Sequence, residues 1–311
     1  MILLALGLLA CSTPAPAPVP TAPAAPTHTA VRVALNWLPE PEFGGFYAGV
    51  VEGIYSKAGF DVTLIPGGPG APTLELLSSG QAEAAITSAE DLLLKRANGV
   101  VAVGVWPAFQ WAPTGLMAHT GQGLTRYEDI HGGRIALEVG GPFQLFLSKK
   151  YGWDGKVELV PTSGSVASFL ADPTLIQQAY ITSEPCAVRA AGSDSVFLKA
   201  ADAGWNPYGT VLAFADPPPA WAGAFVHATQ AAWEAYLADP GPGNTEIGRL
   251  NDQMKPDVLS CIDAAQRPFL VGDDGLGVMT AARWDALASA MVGIGVLPVG
   301  STASGAWKVL P

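Results

Sequence analysis

Two lobes of α/β structure with a ligand cleft between them are what the sequence predicts, and three observations carry the prediction. Strand-like and helix-like segments alternate along most of the chain. Its 311 residues exceed the ~150 that one ordinary domain averages. The βα rhythm also restarts near Gly121 and returns near Thr210, so one unit reads as inserted into another. Hydrophobic residues make up 49%, enough for a sizeable core and too many for a disordered chain.

The N-terminus is set apart from the fold. Residues 2–9 form an apolar run far shorter than the ~20 needed to cross a bilayer, and they fit the core of a signal peptide. Leu8-Leu9-Ala10-Cys11 resembles a lipoprotein cleavage box, which makes Cys11 the expected lipidated residue and 1–11 the signal. Residues 12–30 alternate Pro with Ala, Val and Thr and read as a linker; such a stretch favours polyproline II at ~3.1 Å per residue, a stalk of roughly 50 Å.

The folded part opens with a strand over 31–37 (VRVALNW) that ends in polar and aromatic residues. A helix is predicted over 43–58, then a strand (61–65), a Gly/Pro loop (66–72), a helix (73–79) and a strand (82–87). Ser88 caps a helix over 89–98 in which Asp91 stands three residues on, Lys95 and Arg96 close the last turn and Gly99 follows. Strands at 100–106 and 115–119 come next. The inserted unit continues with strands at 134–138, 157–160, 178–183 and 196–198 and helices at 142–151, 166–171 and 185–192. A strand at 210–216 returns the chain to the first unit. Helices over 220–237, 245–254 and 281–292 close it, the last with Trp284, Leu287, Ala288 and Met291 on one face. The layout is therefore 31–114 and 210–311 for the first lobe and 115–209 for the second, joined by two crossings near Ala112 and Gly209. Two crossings make a hinge. Cys186 and Cys261 fall in different lobes, where a crosslink would lock that hinge, so both are expected as buried free thiols although export permits a disulfide.

A formal net charge of −11 with only 16 Lys and Arg excludes a nucleic-acid binder, which needs clustered basic residues to neutralise phosphates. There is no phosphate-binding G-x-x-x-x-G-K-[ST], no H-E-x-x-H, no C-x-x-C and no G-x-S-x-G. The four histidines lack metal-ligand spacing, so neither metal nor cofactor is expected. The strand ends offer recognition instead. Asn36 and Trp37 end the first strand, Trp106 and Gln110 another. Glu138 leads into a Gly-Gly-Pro turn, Glu184 precedes Pro185, and Tyr208 lies at the second crossing. Ligands of open parallel sheets lie off the carboxyl ends of strands, and aromatic faces with amide and carboxylate groups suit a flat, nitrogen-bearing ligand. Trp37 and Trp106 fit a core as well as a pocket. Glu138 and Glu184 fit simple helix N-terminal charges too.

Three segments carry a family resemblance: LNWLPEPEFGGFYAGVVEGIYSKAG (35–59), LLSSGQAEAAI (76–86) and GVMTAARW (277–284). They are similar to the periplasmic binding proteins for thiamine pyrimidine precursors, a group that shares its fold with sulfonate, nitrate and riboflavin binding proteins. The resemblance implies a bilobal type II periplasmic-binding-protein fold, and with the signal segment and Cys11 the expectation is a monomer outside the cytoplasmic membrane, held to it by a lipid anchor alone. It also implies an ABC permease as partner and an aminopyrimidine ligand stacked on Trp37 and bonded by Glu184. A fungal pyrimidine synthase of the same superfamily resembles AAITSAEDLLL (84–94), but it has a reactive lysine and a histidine where this chain has Thr87 and Asp91. Its cysteine-rich run has no counterpart here. The expectation is a binding protein, not an enzyme.

Overall fold

The computed structural model describes residues 28–272 and 275–311. The predicted signal segment, Cys11 and nearly all of the linker lie outside the described residues. In chain order the elements are β1 (Thr29–Ala34), α1 (Gly44–Val51), α2 (Ile54–Lys57), β2 (Phe60–Ile65), α3 (Thr73–Ser78), β3 (Ala84–Thr87), α4 (Ala89–Ala97), β4 (Ala102–Phe109) and β5 (Thr114–His119). Then come β6 (Gly133–Leu137), α5 (Pro142–Tyr151), β7 (Val157–Pro161), α6 (Ala167–Ala171), β8 (Ile176–Tyr180), α7 (Glu184–Ala190) and β9 (Ser195–Lys199). The chain ends with β10 (Gly209–Ala215), α8 (Ala222–Ala238), α9 (Gly241–Leu250), α10 (Pro256–Leu270) and α11 (Ala281–Gly293).

Two five-stranded sheets result, ordered β2-β1-β3-β10-β4 and β7-β6-β8-β5-β9. In each, three parallel strands are joined to a strand running the other way, β10 in the first sheet and β5 in the second. This is the architecture of the periplasmic-binding-protein fold, as expected. The core of the first sheet forms where α1 meets α8. Gly44 and Gly45 make that approach possible: a Cβ on Gly44 would stand 2.1 Å from the Tyr236 ring, and one on Gly45 2.2 Å from Trp233. Phe46 then meets Trp233 edge-on at 5.9 Å between ring centroids.

Several elements depart from the sequence prediction for identifiable reasons. The helix predicted over 43–58 is a 3-10 turn at Pro41–Phe43 followed by α1 and α2, because Gly53 takes the left-handed φ of 68° and breaks it. The strand predicted over 100–106 continues to Phe109 through Pro107, which is tolerated because β4 is an edge strand. The helix predicted over 245–254 is α9, ending at Leu250. The fifteen-residue α10 behind it was not predicted at all.

The expectation of free thiols is corrected by that missing helix. Helix α7, on the second sheet, packs against α10, on the first. Cys186 and Cys261 come within 5.8 Å between Cα atoms and form a disulfide across the two sheets.

The connections between the sheets are tied together. The first runs from β4 to β5 over residues 110–113, the second from β9 to β10 over 200–208. Arg283 of α11 clasps both. Its guanidinium donates to the carbonyl oxygens of Gln110, Asn206 and Pro207 and to Asn206 Oδ1, and lies 3.8 Å above the Tyr208 ring. Asn206 Oδ1 also accepts from the Ala112 amide at 2.8 Å, linking one connection to the other. Thr210, just beyond, holds a φ of 49°, a strained value for a β-branched residue and the kind of backbone found where chains switch or bind.

Candidate functional site

The carboxyl ends of the parallel strands face each other between the sheets, and acidic and aromatic side chains gather there. From the first sheet, β1 runs into Asn36, Trp37, Glu40 and Glu42. From the second, β8 ends at Tyr180 and is followed by Thr182, Ser183 and Glu184, while β6 ends beside Glu138. Trp37 is half-buried and reaches the opposite lobe: a Cβ on Gly164, in the loop between β7 and α6, would sit 3.8 Å from its ring. Glu184 opens α7 rather than ending a strand, and its Oε2 accepts from the Tyr180 amide at 2.8 Å.

Electrostatics distinguish this region from the rest of the molecule. Burial pushes the Glu40 carboxyl up to about 8, with the nearby Glu184 charge adding to the rise and Ser183 and Trp37 pulling the other way. Burial, then the charges of Glu40 and Glu184, hold Glu42 well above the usual range. Glu184 rises to about 7, through burial. Glu90 of α4 also rises to about 7; burial dominates, and Asp91 and Glu138 add to it. The Tyr180 ring is exposed, but its phenol end is crowded by protein and held well above its ordinary value, first by desolvation and then by Glu90, Glu42, Glu138 and Glu184. Among the described residues none of these five glutamates forms an ion pair. An uncompensated buried carboxylate is costly, so the site either keeps protons or waits for a cationic group.

The predicted site residues divide. Asn36, Trp37, Glu138 and Glu184 lie at this cleft, with a buried Asn36 Oδ1 left without a partner. Trp106, Gln110 and Tyr208 do not. Trp106 is buried in the core of the first lobe, its indole donating to Gln230 Oε1 at 2.8 Å. Gln110 is buried at the first connection, its amide facing the backbone of Gly277 and Val278. Tyr208 is buried beneath Arg283, its hydroxyl accepting from the Thr280 amide at 3.0 Å. Sequence reasoning missed Glu40, Glu42, Tyr180 and Thr182. The signal for the first two was two glutamates inside PEPEF, too polar for a segment entering the core.

Thr87 and Asp91, at the positions of the synthase lysine and histidine, bond to each other at 3.3 Å. A groove of about 320 Å3 lined by Leu35, Ile65 and the Gly/Pro loop to Pro72 holds no titratable group. Among the described residues no group of three or more His, Cys, Asp or Glu has metal-binding geometry, and no helix is long and apolar enough to cross a membrane.

Comparison with known proteins agrees with this fold. The riboflavin-binding protein RibY of Chloroflexus aurantiacus is 27% identical over 223 residues, 65% of this chain and 62% of that protein, so the match spans less than two thirds of the relative's length. Among solved structures, the alkanesulfonate-binding protein SsuA of Xanthomonas axonopodis pv. citri, bound to MOPS, superposes with a TM-score of 0.66 at 16% identity, covering 92% of this chain and all of that one. The periplasmic aliphatic sulphonate binding protein SsuA of Escherichia coli gives 0.63 at 15%, covering 86% and 88%. At such identities the structures share the fold alone. The family described as NMT1/THI5 like matches residues 40–242, most of the folded chain from the acidic turn after β1 to the start of α9, and the protein belongs to that family.

Proposed function

We propose that this protein is the exported solute-binding component of an ABC importer, and that its cleft captures a small nitrogen-bearing heteroaromatic ligand, first among them a thiamine pyrimidine precursor. The observation that carries the reading is the pairing of aromatic faces with uncompensated carboxyls that, among the described residues, have no ion-paired Lys or Arg. A sulfonate or nitrate pocket needs the opposite, basic donors converging on an anion. Trp37 supplies a stacking face and Glu184, with one oxygen held by the Tyr180 amide, offers the other to a ligand amino group. Riboflavin is the second reading, favoured by the RibY relative.

Thermal scans with 4-amino-5-hydroxymethyl-2-methylpyrimidine, riboflavin and MOPS separate these. A true ligand stabilises the fold by RT ln(1 + [L]/Kd) and leaves the incubation chemically unchanged. Glu184→Gln should weaken pyrimidine binding about tenfold, the loss of one charge-assisted hydrogen bond. Trp37→Ala should weaken any flat ligand through lost stacking. Full affinity in both variants, or preferential stabilisation by MOPS, refutes the assignment. Turnover of a candidate, or a need for added iron or pyridoxal phosphate, would favour the synthase-like enzyme.

Lipid anchoring belongs to the same reading. Cys11→Ser should move the protein from the membrane fraction to the soluble fraction; unchanged retention would exclude a lipid on that residue.

A further inference from the structure

The carboxyls of Glu40 and Glu42 stand on the turn between β1 and α1, with only 5% and 6% of their surface exposed. Two acids so deeply buried and so close to a third, Glu184, are not explained by stability, since each costs free energy unless it is paired or protonated. Among the described residues no Lys or Arg forms an ion pair with these acids. From α9, Arg249 pairs with Glu246; from α10, Arg267 pairs with Asp263; Arg189 of α7 points to Cys261 Sγ at 3.6 Å. Thr182, fully buried beside Glu42, has a hydroxyl that makes no well-formed hydrogen bond. That hydroxyl faces the Glu42 carboxyl, and the buried Asn36 Oδ1 at the end of β1 has no partner either.

We propose that Glu40, Glu42 and Glu184 form a receptor for a positively charged nitrogen group of the ligand, an ammonium, an amidinium or a protonated ring nitrogen beside an amino group, and that this trio sets the charge selectivity of the cleft. The inference rests on the proposed binding function and extends it from a flat ligand to a cationic one. Adjacent carboxylates accept two or more N–H donors at once, which matches an amidine-like edge and repels an anion. Thr182 and Asn36 supply acceptors for the remaining donors. The empty trio holds protons at neutral pH, since burial and mutual repulsion raise Glu40 to about 8 and Glu42 well above the usual range, while burial raises Glu184 to about 7. A cation entering the cleft lowers these values and expels a proton, so affinity rises with pH towards 8. Other titratable groups near the trio are Tyr180, Glu90 and Glu138, all acids.

The test is calorimetric titration of the full chain with benzamidine, a fixed aromatic cation, at pH 7 in two buffers of different ionisation enthalpy, beside riboflavin and MOPS. Benzamidine should bind with release of a proton, and the Glu40→Gln/Glu42→Gln double variant should lose at least tenfold in affinity. Thermal scans confirm that the variant is folded, and the single Glu40→Gln variant substitutes if it is not. Unchanged benzamidine affinity in a folded variant, or no benzamidine binding, overturns the inference. Riboflavin or MOPS binding that ignores both glutamates but is weakened by Trp37→Ala overturns it while leaving the binding function intact. If neither these probes nor 4-amino-5-hydroxymethyl-2-methylpyrimidine binds, both readings fall.

Discussion

Replacing Cys186 and Cys261 together by serine should cost the fold about 4 kcal/mol and lower Tm by roughly 10 °C. The magnitude follows from the sequence separation of 75 residues, since closing so long a loop removes much of the unfolded chain's entropy. The crosslink should also act mechanically. The carbonyl of Phe269 on α10 accepts from the amides of Gln110 and Trp111 at the first connection. Cys261 lies eight residues earlier, about 12 Å along the helix at 1.5 Å per residue. A covalent link at that distance from the pivot permits rotation and limits how far the cleft opens. Reduced protein should therefore show a larger radius of gyration without ligand as well as a lower Tm. Scattering and thermal scans with and without reductant, with thiols titrated to confirm reduction, test both effects. An unchanged Tm in fully reduced protein would contradict the stabilising role.

Periodicity made the alternation of strands and helices, and hence the fold class, legible in the sequence. Where it failed, tertiary context outweighed local pattern. In α10 the apolar positions Val258, Leu259, Ile262, Phe269 and Leu270 are buried and keep helical spacing, but Pro268 within the last turn and polar neighbours hide it. With that helix unseen, Cys261 had no position, and the argument from a locked hinge had nothing to correct it. The cleft was legible in part for the same reason. Strand-end position brought out Trp37, Glu138 and Glu184. It could not separate them from Trp106, Gln110 and Tyr208, because a strand end beside an interlobe connection packs against α11 and the segment before it instead of facing the cleft. Arg283, which ties the two connections together, carries no motif; its role comes from four acceptors and one ring contact supplied by segments some 75 and 173 positions away. Glu40 and Glu42 were passed over because glutamates are expected on surfaces, and nothing local says that PEPEF is folded inward.

Those buried acids predict that the empty protein is most stable near pH 5 and loses stability as pH rises. An unfolded glutamate releases its proton near 4.5, whereas in the folded protein Glu40 keeps it to about 8 and Glu90 and Glu184 to about 7. Between those limits the folded state binds more protons than the unfolded one, so raising the pH favours unfolding by about 1.4 kcal/mol per pH unit for each proton retained. The contribution of each group is intact below 4.5 and is lost as pH climbs through its folded value. On the acid side the sign reverses. Asp129, lowered to about 2 by backbone donors from Thr125 and by Arg126, and the ion-paired Glu75 and Glu83 are also lowered, so they withdraw their stabilisation as pH falls below about 4. The two opposed sets leave a maximum near pH 5 and a Tm lower by at least about 10 °C at pH 8. Glu40→Gln, which keeps shape and cannot ionise, should flatten the alkaline limb and raise Tm at pH 8 while changing little at pH 5. A cationic ligand should do the same for the wild-type chain, because it replaces the missing protons with its own charge. Thermal scans from pH 4 to 9 on both proteins decide the matter. A Tm that is level from pH 5 to 8 would mean that the three glutamates are hydrated and ionised in the open cleft, and the case for a cation receptor would lose its electrostatic basis.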